Sequence, residues 1–220
     1  MRIGILLLSF LCLFIQGAEA KINRKALLQR NNPIVHGFDS LSSLSVGNGG
    51  FAVTVDATGL QTFPTHYSKG VPLGTQSDWG WHSFANPKRY TPEDAYRDYD
   101  FGRGRMESYS VQFNEPGRQQ DAANWLRINP HRLHLGVVGF ELPSTVTFDD
   151  FADVTQTLLL GSGIIDSRYT LQGVPVHVQT VCHPERDLLA ARVKAGQPMP
   201  IRLHFPYPTG EHADDACDWD

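Results

Sequence analysis

The sequence predicts an all-β domain, built as an antiparallel β-sandwich with long loops and one or two short helices. The main observation is that residues 154–205 form a succession of short apolar segments, each separated from the next by a few turn-forming residues. Connections this short join antiparallel neighbours, whereas parallel strands need crossovers of helical length. A second observation is the alternation of Phe51, Val53 and Val55, which gives an apolar face to a strand between two glycine-containing turns.

Turn residues and apolar alternation predict the individual strands. In the N-terminal part the predicted strands are 43–46, 51–55 and 60–63, with glycine-containing turns between them. In the C-terminal part Gly173 fits a two-residue hairpin turn. The predicted strands there are 155–160, 164–171, 174–182, 188–193 and 201–205. This spacing favours a sandwich over a doubly wound sheet, which would need long helical segments between its strands.

The middle of the chain is less regular. Residues 64–105 are rich in Gly, Pro, Trp, Tyr and His and predict a long loop, with a short helical possibility at 92–99. Loops of this length inside a compact domain are usually functional. The remaining predicted elements are helical or irregular chain at 24–30, a helix at 119–128 and strands at 107–113 and 132–142.

The N-terminus has the features of a signal peptide. Met1 and Arg2 precede an apolar stretch at 3–15, and small residues follow it up to Ala20. The apolar stretch is shorter than the roughly 20 residues that cross a bilayer. We therefore expect a signal peptide at 1–20, a periplasmic or extracellular location and no membrane association after cleavage. Residues 21–220 are expected to form one β-sandwich domain.

Composition and charge limit the classes of partner that we expect. The formal net charge is −4, and removal of Arg2 and Glu19 with the leader leaves it unchanged. Basic residues form neither a run nor a stripe, which argues against nucleic acid as a ligand. Cys182 and Cys217 remain after cleavage, and their spacing alone leaves a disulfide between them open.

Two tryptophans separated by one glycine, Trp79 and Trp81, are the most conspicuous candidates for ligand binding, and His82 follows them directly. Indole rings offer flat apolar faces and an N–H donor, which suits stacking on the C–H face of a sugar ring. An equally open interpretation is that the tryptophans pin a long loop onto the sandwich. Further polar contacts near the tryptophans are expected from His66, Tyr67 and Gln76.

Other kinds of site find little support in the sequence. The histidines lack the spacing of metal ligands, so we expect no metal site and no cofactor. No catalytic residue is assigned, because the sequence has no nucleophile elbow and because the pairs Asp94 with Asp98 and Asp149 with Asp150 are typical of solvated loops. An acidic cluster at 212–220 is compatible with a calcium loop, a substrate loop or the exit of the chain from the domain.

Two stretches carry a resemblance to a known family. Residues 41–53 read Leu-Ser-Ser-Leu-Ser-Val-Gly-Asn-Gly-Gly-Phe-Ala-Val, which resembles the opening of the N-terminal β-sandwich in glycoside hydrolase family 65 and its relatives. Residues 158–165 and 186–192 resemble the later strand pair of that domain and its strand with a basic end. The order and spacing of these motifs extend over most of residues 25–205.

This resemblance implies a galactose-mutarotase-like supersandwich that precedes an (α/α)6 barrel holding the catalytic glutamate. The chain is then expected to be the non-catalytic N-terminal portion, truncated at its C-terminal end, of a secreted bacterial glycoside hydrolase or disaccharide phosphorylase. Its expected partners are an oligosaccharide and the missing barrel of the same polypeptide, and the candidates for substrate contact are Trp79, Trp81 and His82. The alternatives are a free-standing carbohydrate-binding module that uses the same tryptophans and a purely structural sandwich.

Overall fold

The computed structural model describes residues 22–205, and it shows an all-β, sandwich-like fold of antiparallel sheets with few short helices. The largest sheet has five strands in the order β1-β10-β11-β12-β13. These strands are β1 (Ile34–His36), β10 (Phe151–Leu159), β11 (Ile164–Leu171), β12 (Val174–Cys182) and β13 (Leu189–Ala195). Each of them runs antiparallel to its neighbours, as the short connections predict.

Smaller sheets complete the fold. A three-stranded sheet contains β2 (Leu44–Gly47), β3 (Phe51–Val55) and β4 (Thr75–Ser77). Three two-stranded pairs are β5 (Trp81–His82) with β8 (His131–Arg132), β6 (Tyr96–Asp100) with β7 (Met106–Ser110), and β9 (Val137–Phe140) with β14 (Ile201–His204). The helices are α1 (Arg24–Arg30), α2 (Pro64–Tyr67) and α3 (Arg118–Ile128), and 3-10 turns span Pro92–Ala95 and Phe148–Asp150.

Local turn chemistry explains the hairpins that the sequence predicts correctly. Between β11 and β12, Gln172 and Gly173 both have positive φ, at 48° and 83°, which is the backbone of a tight hairpin turn. Between β2 and β3, the side chain of Asn48 accepts hydrogen bonds from the backbone N–H groups of Gly50 and Phe51. Both turns fix the register of the strands they connect, and the predicted bounds of β3, β11 and β12 are confirmed.

Three predictions of local structure are wrong. Residues 60–63 are buried but form no strand, because two of their backbone N–H groups bond to the Asp56 carboxylate instead of to a neighbouring strand. The strand predicted at 132–142 is interrupted and contributes to two separate sheets, as β8 and β9. The segment 64–105, predicted as a loop, contains β4, β5 and β6. The helical possibility at 92–99 is a 3-10 turn at Pro92–Ala95 followed by the start of β6.

The core lies between the inner face of the five-stranded sheet and the smaller sheets. One cluster joins Leu60, Phe140, Phe151 and Tyr169, and a second joins strands β2 and β3 to Ile165 of β11. A polar layer crosses this core, made of the fully buried side chains Asp56, Thr58, Gln61, Gln156, Ser167 and Thr180. These polar groups bond to one another and to backbone. The exception within residues 22–205 is Oε1 of Gln156, which is buried without a hydrogen-bond partner.

Several expectations concern residues outside the described range. The signal peptide at 1–20, Cys217 and the acidic cluster at 212–220 all lie there. Cys182 is buried at the end of β12 and forms no disulfide within residues 22–205. In the range 22–205, none of the helices has the length and apolar character that a membrane span requires.

Candidate functional site

The two tryptophans lie where the chain passes from the three-stranded sheet to the β5–β8 pair. Gly80 between them is buried against Leu135, and a Cβ atom on Gly80 would lie 2.8 Å from the Leu135 side chain. Only glycine fits this passage without moving that neighbour. The chain is therefore held close to the sandwich at residue 80, while 64% of Trp79 and 56% of Trp81 remain exposed.

The exposed indole of Trp79 is fixed by Asp187. Its Nε1–H donates to Oδ2 of Asp187 at 2.7 Å, and the hydroxyl of Ser77 donates to the same oxygen at 2.9 Å. The side-chain amide of Asn48 donates to the other carboxylate oxygen at 3.2 Å. These three hydrogen bonds, led by that of the indole, lower the pKa of Asp187. The carboxylate thus joins the β12–β13 turn to the β2–β3 turn and to the end of β4.

Trp81 and His82 are held by cross-strand pairing. Trp81 pairs with Arg132, and His82 pairs with His131. The His82 ring lies 5.1 Å from the His131 ring and 4.9 Å from the Phe84 ring, measured between centroids. His82 therefore supports a small group of aromatic rings beside Trp81.

Two adjoining cavities open at this surface. The larger, of about 400 Å³, is lined by Asp78, Trp81, Pro130, His131 and Arg132. The smaller, of about 230 Å³, is lined by Gly47, Gly49, Gly50, Phe51, Ala52, Gln76, Ser77, Asp78 and Arg132. Asp78 and Arg132 line both cavities, and the Ser77 hydroxyl that bonds to Asp187 links the smaller one to Trp79. The cavities and the two tryptophans together are called the tryptophan groove below.

The three polar residues that the sequence analysis expects near the tryptophans lie in different parts of the structure. Gln76 lines the smaller cavity of the tryptophan groove. Tyr67 is buried in the core, and the ring of His66 packs on Phe148 with its Nε2 bonded to the carbonyl oxygen of Phe38. The expectation of polar contacts near the tryptophans is therefore wrong for His66 and Tyr67, which contribute to packing.

Three of the four acids in the pairs considered from the sequence, Asp94, Asp98 and Asp150, have structural roles. Asp94 forms an ion pair with Arg118 at 2.8 Å, and Asp98 accepts a hydrogen bond from the hydroxyl of Ser108. Asp150 accepts from the backbone N–H of Thr147 and caps a 3-10 turn. Within residues 22–205, moreover, the structure contains no group of three or more His, Cys, Asp or Glu side chains arranged to hold a metal ion.

A further cavity, of about 440 Å³, lies on the outer face of the five-stranded sheet. Its lining includes Arg168, His177 and Lys194. Two of these groups are already engaged, because Arg168 and His177 both bond to the Asp166 carboxylate at 2.7 Å. The tryptophan groove offers more exposed aromatic surface, from Trp79 and Trp81, whereas Tyr169 in the lining of the other cavity is buried, so the groove is the stronger candidate for sugar stacking.

Sequence reasoning singles out Trp79 and Trp81 as candidates but gives no sign of Asp187 and Arg132, which the structure places beside them. Asp187 lies in a turn 108 residues from Trp79, and Arg132 lies 54 residues from Asp78, so no local pattern signals either contact. Comparison of the sequence with protein families gives no match, and comparison with curated proteins gives none either.

Proposed function

We propose that this chain is the non-catalytic, oligosaccharide-binding β-sandwich portion of an exported glycoside hydrolase, with Trp79 and Trp81 in contact with the sugar. The sugar-binding part of this proposal rests on the exposure and the hydrogen bonding of Trp79. Its indole N–H is tied to Asp187 at 2.7 Å although 64% of the residue is exposed. A tryptophan that only pinned the loop would bury its ring, whereas this one presents it to solvent in a fixed orientation.

Fixed aromatic surface suits sugar binding for two reasons. The C–H face of a pyranose is apolar and stacks on an indole ring, while its hydroxyl groups need polar partners at the edge. Asp78, Arg132 and Gln76 supply such partners in the adjoining cavities. Holding the ring in place before the ligand arrives also reduces the entropy lost on binding.

The hydrolase part of the proposal is supported by the resemblance of residues 41–53 and 158–192 to the N-terminal sandwich of glycoside hydrolase family 65. It places the catalytic acid in a barrel domain of the same polypeptide, and export follows from the signal-peptide features of residues 1–20. Sequencing of the DNA downstream of the Asp220 codon tests this part. A reading frame that continues into paired helices supports it, and a stop codon would leave a free-standing carbohydrate-binding module as the proposal.

Sugar binding is tested on the mature chain by titration calorimetry with a panel of neutral oligosaccharides. We expect wild-type protein to bind at least one of them, and Trp79→Ala and Trp81→Ala to lose most of that affinity without a large change in melting temperature. Trp125→Phe is the control, because Trp125 also donates its indole N–H to an oxygen, the carbonyl of Ala85, but lines neither cavity of the groove. Absence of binding by the wild-type chain to the whole panel contradicts the proposal.

A further inference from the structure

We infer that the tryptophan groove takes an uncharged oligosaccharide of at least two sugar rings, and that Asp78 and Arg132 determine its specificity. This inference rests on the proposed sugar-binding function and adds the class of ligand and the residues that select it. The starting observation is that Asp78 and Arg132 stand at the junction of the two cavities and line both of them.

Asp78 presents its carboxylate freely. Its backbone is fixed, since the N–H donates to the Gly50 carbonyl and the carbonyl oxygen accepts from Arg132. Among the side chains of residues 22–205, by contrast, none donates a hydrogen bond to the Asp78 carboxylate. Gly50 keeps that carboxylate accessible, because a Cβ atom at residue 50 would lie 3.3 Å from Asp78 Oδ2. A well-placed carboxylate without a protein partner is available to accept hydrogen bonds from ligand hydroxyls.

Arg132 supplies the complementary donors. One terminal nitrogen of its guanidinium donates to the backbone of Asp78, which holds the side chain in place. A guanidinium has five N–H groups, so this anchor leaves others for a ligand. Trp81, the cross-strand partner of Arg132, adds an exposed aromatic surface beside these donors.

The pairing of one negative and one positive side chain favours an uncharged ligand. Sugar hydroxyls both donate and accept, so a neutral ring satisfies Asp78 and Arg132 together. The carboxylate of a uronic acid that bonds to Arg132 would also lie beside the Asp78 carboxylate, because both side chains line both cavities, so its attraction to the guanidinium is offset by like-charge repulsion. An acidic sugar is therefore expected to bind more weakly than its neutral counterpart.

The shape of the groove requires more than one ring. The larger cavity contains the aromatic side chains Trp81 and His131, which suits the C–H face of one sugar. The smaller cavity is walled by glycine backbone at residues 47, 49 and 50 and by Gln76, which suits the polar edge of the next sugar. A ligand that uses both cavities spans the Asp78–Arg132 junction, and a single ring fills only one of them.

The test is titration calorimetry of the mature chain with glucose, neutral gluco-disaccharides and gluco-trisaccharides, and digalacturonate as the charged probe beside its neutral counterpart, digalactose. The variants are Asp78→Asn, which keeps the size of the side chain, and Arg132→Gln. The matched controls are Asp149→Asn and Arg192→Gln, two exposed charges outside the groove. Melting curves of every variant accompany the titrations.

We expect a neutral disaccharide to bind more tightly than glucose and digalacturonate. Asp78→Asn and Arg132→Gln should each weaken binding about tenfold or more, as the loss of a hydrogen bond to a charged group does, and the controls should not change it. Loss of binding in Trp81→Ala with full binding in Asp78→Asn and Arg132→Gln would overturn this inference and leave the proposed function standing. Equal affinity for glucose, or preference for digalacturonate, would also overturn it. If the wild-type chain binds none of the sugars, the proposed function fails and this inference fails with it.

Discussion

Asp56 is a fully buried acid in the middle of the sandwich, and its ionisation should make the free energy of unfolding depend on pH. Burial raises the pKa of its carboxyl from 3.8 to about 6, although four donors partly oppose this: the N–H and hydroxyl of Thr58 and the N–H groups of Thr62 and Phe63. Each unit of difference between the folded and unfolded pKa values corresponds to about 1.4 kcal/mol in the free energy of unfolding, so the full contribution of Asp56 is about 3 kcal/mol.

The sign follows from proton binding. The folded chain holds the Asp56 proton more tightly than the unfolded chain does, so the stabilising contribution is complete below about pH 4 and is lost as the pH rises through about 6. Other carboxyls act in the opposite direction, such as Asp94, whose pKa is lowered by its bond to Arg118. These groups titrate alike in wild type and in Asp56→Asn, and their effect cancels in the difference between the two proteins.

Urea unfolding of wild type and Asp56→Asn at a series of pH values measures that difference. We expect the wild-type free energy of unfolding, relative to the variant, to fall by about 3 kcal/mol between about pH 4 and about pH 7. The variant itself should be less stable, because its amide NH₂ would face N–H donors. If it does not fold, an NMR titration of the Asp56 carboxyl carbon in the wild-type chain gives the same information. A pKa at or below the ordinary 3.8 would refute the reasoning.

Two further predictions concern the site and the sandwich. Asp187→Ala should free the indole of Trp79 and lower its time-resolved fluorescence anisotropy, because the indole N–H loses its acceptor. The control is Glu185→Ala, which removes an exposed acid from the same turn and should leave the anisotropy unchanged. Equal anisotropy in the two variants would contradict the role of Asp187. Gly139→Ala should lower the free energy of unfolding by about 1–3 kcal/mol in urea titrations, because the new Cβ would overlap a backbone carbonyl of the neighbouring loop. Gly74→Ala, where a Cβ meets nothing within 4 Å, is the control, and an equal loss in both variants would be the contrary result.

Strand and turn prediction succeeds where local chemistry decides the structure. The β11–β12 hairpin follows from apolar alternation and from a turn whose two residues, Gln172 and Gly173, take positive φ. Residues 60–63 show the limit of such reasoning. The turn before them favours a strand, but their backbone partners are the Asp56 carboxylate and the Val138 carbonyl, and neither partner is visible in the segment's own pattern.

The difference between local patterns and contacts made by the fold also explains which residues of the tryptophan groove the sequence reveals. Trp79 and Trp81 stand out by composition, since two indoles flanking one glycine are rare in any chain. Asp187 does not stand out, because an acid in a polar turn is ordinary until the fold brings Trp79 to it across 108 residues. Sequence patterns therefore identify side chains with unusual chemistry more readily than the ordinary side chains that orient them.

The tryptophan groove depends on the packing of both main sheets. Asn48 and Ser77 belong to the turn and the edge strand of the three-stranded sheet, whereas Asp187 lies in the β12–β13 turn of the five-stranded sheet. The orientation of Trp79 is therefore set by the position of one sheet relative to the other, and a shift between the sheets would break the hydrogen bonds to Asp187. An aromatic surface held by hydrogen bonds between two sheets keeps its orientation before a ligand arrives, and a preorganised surface loses less conformational entropy on binding.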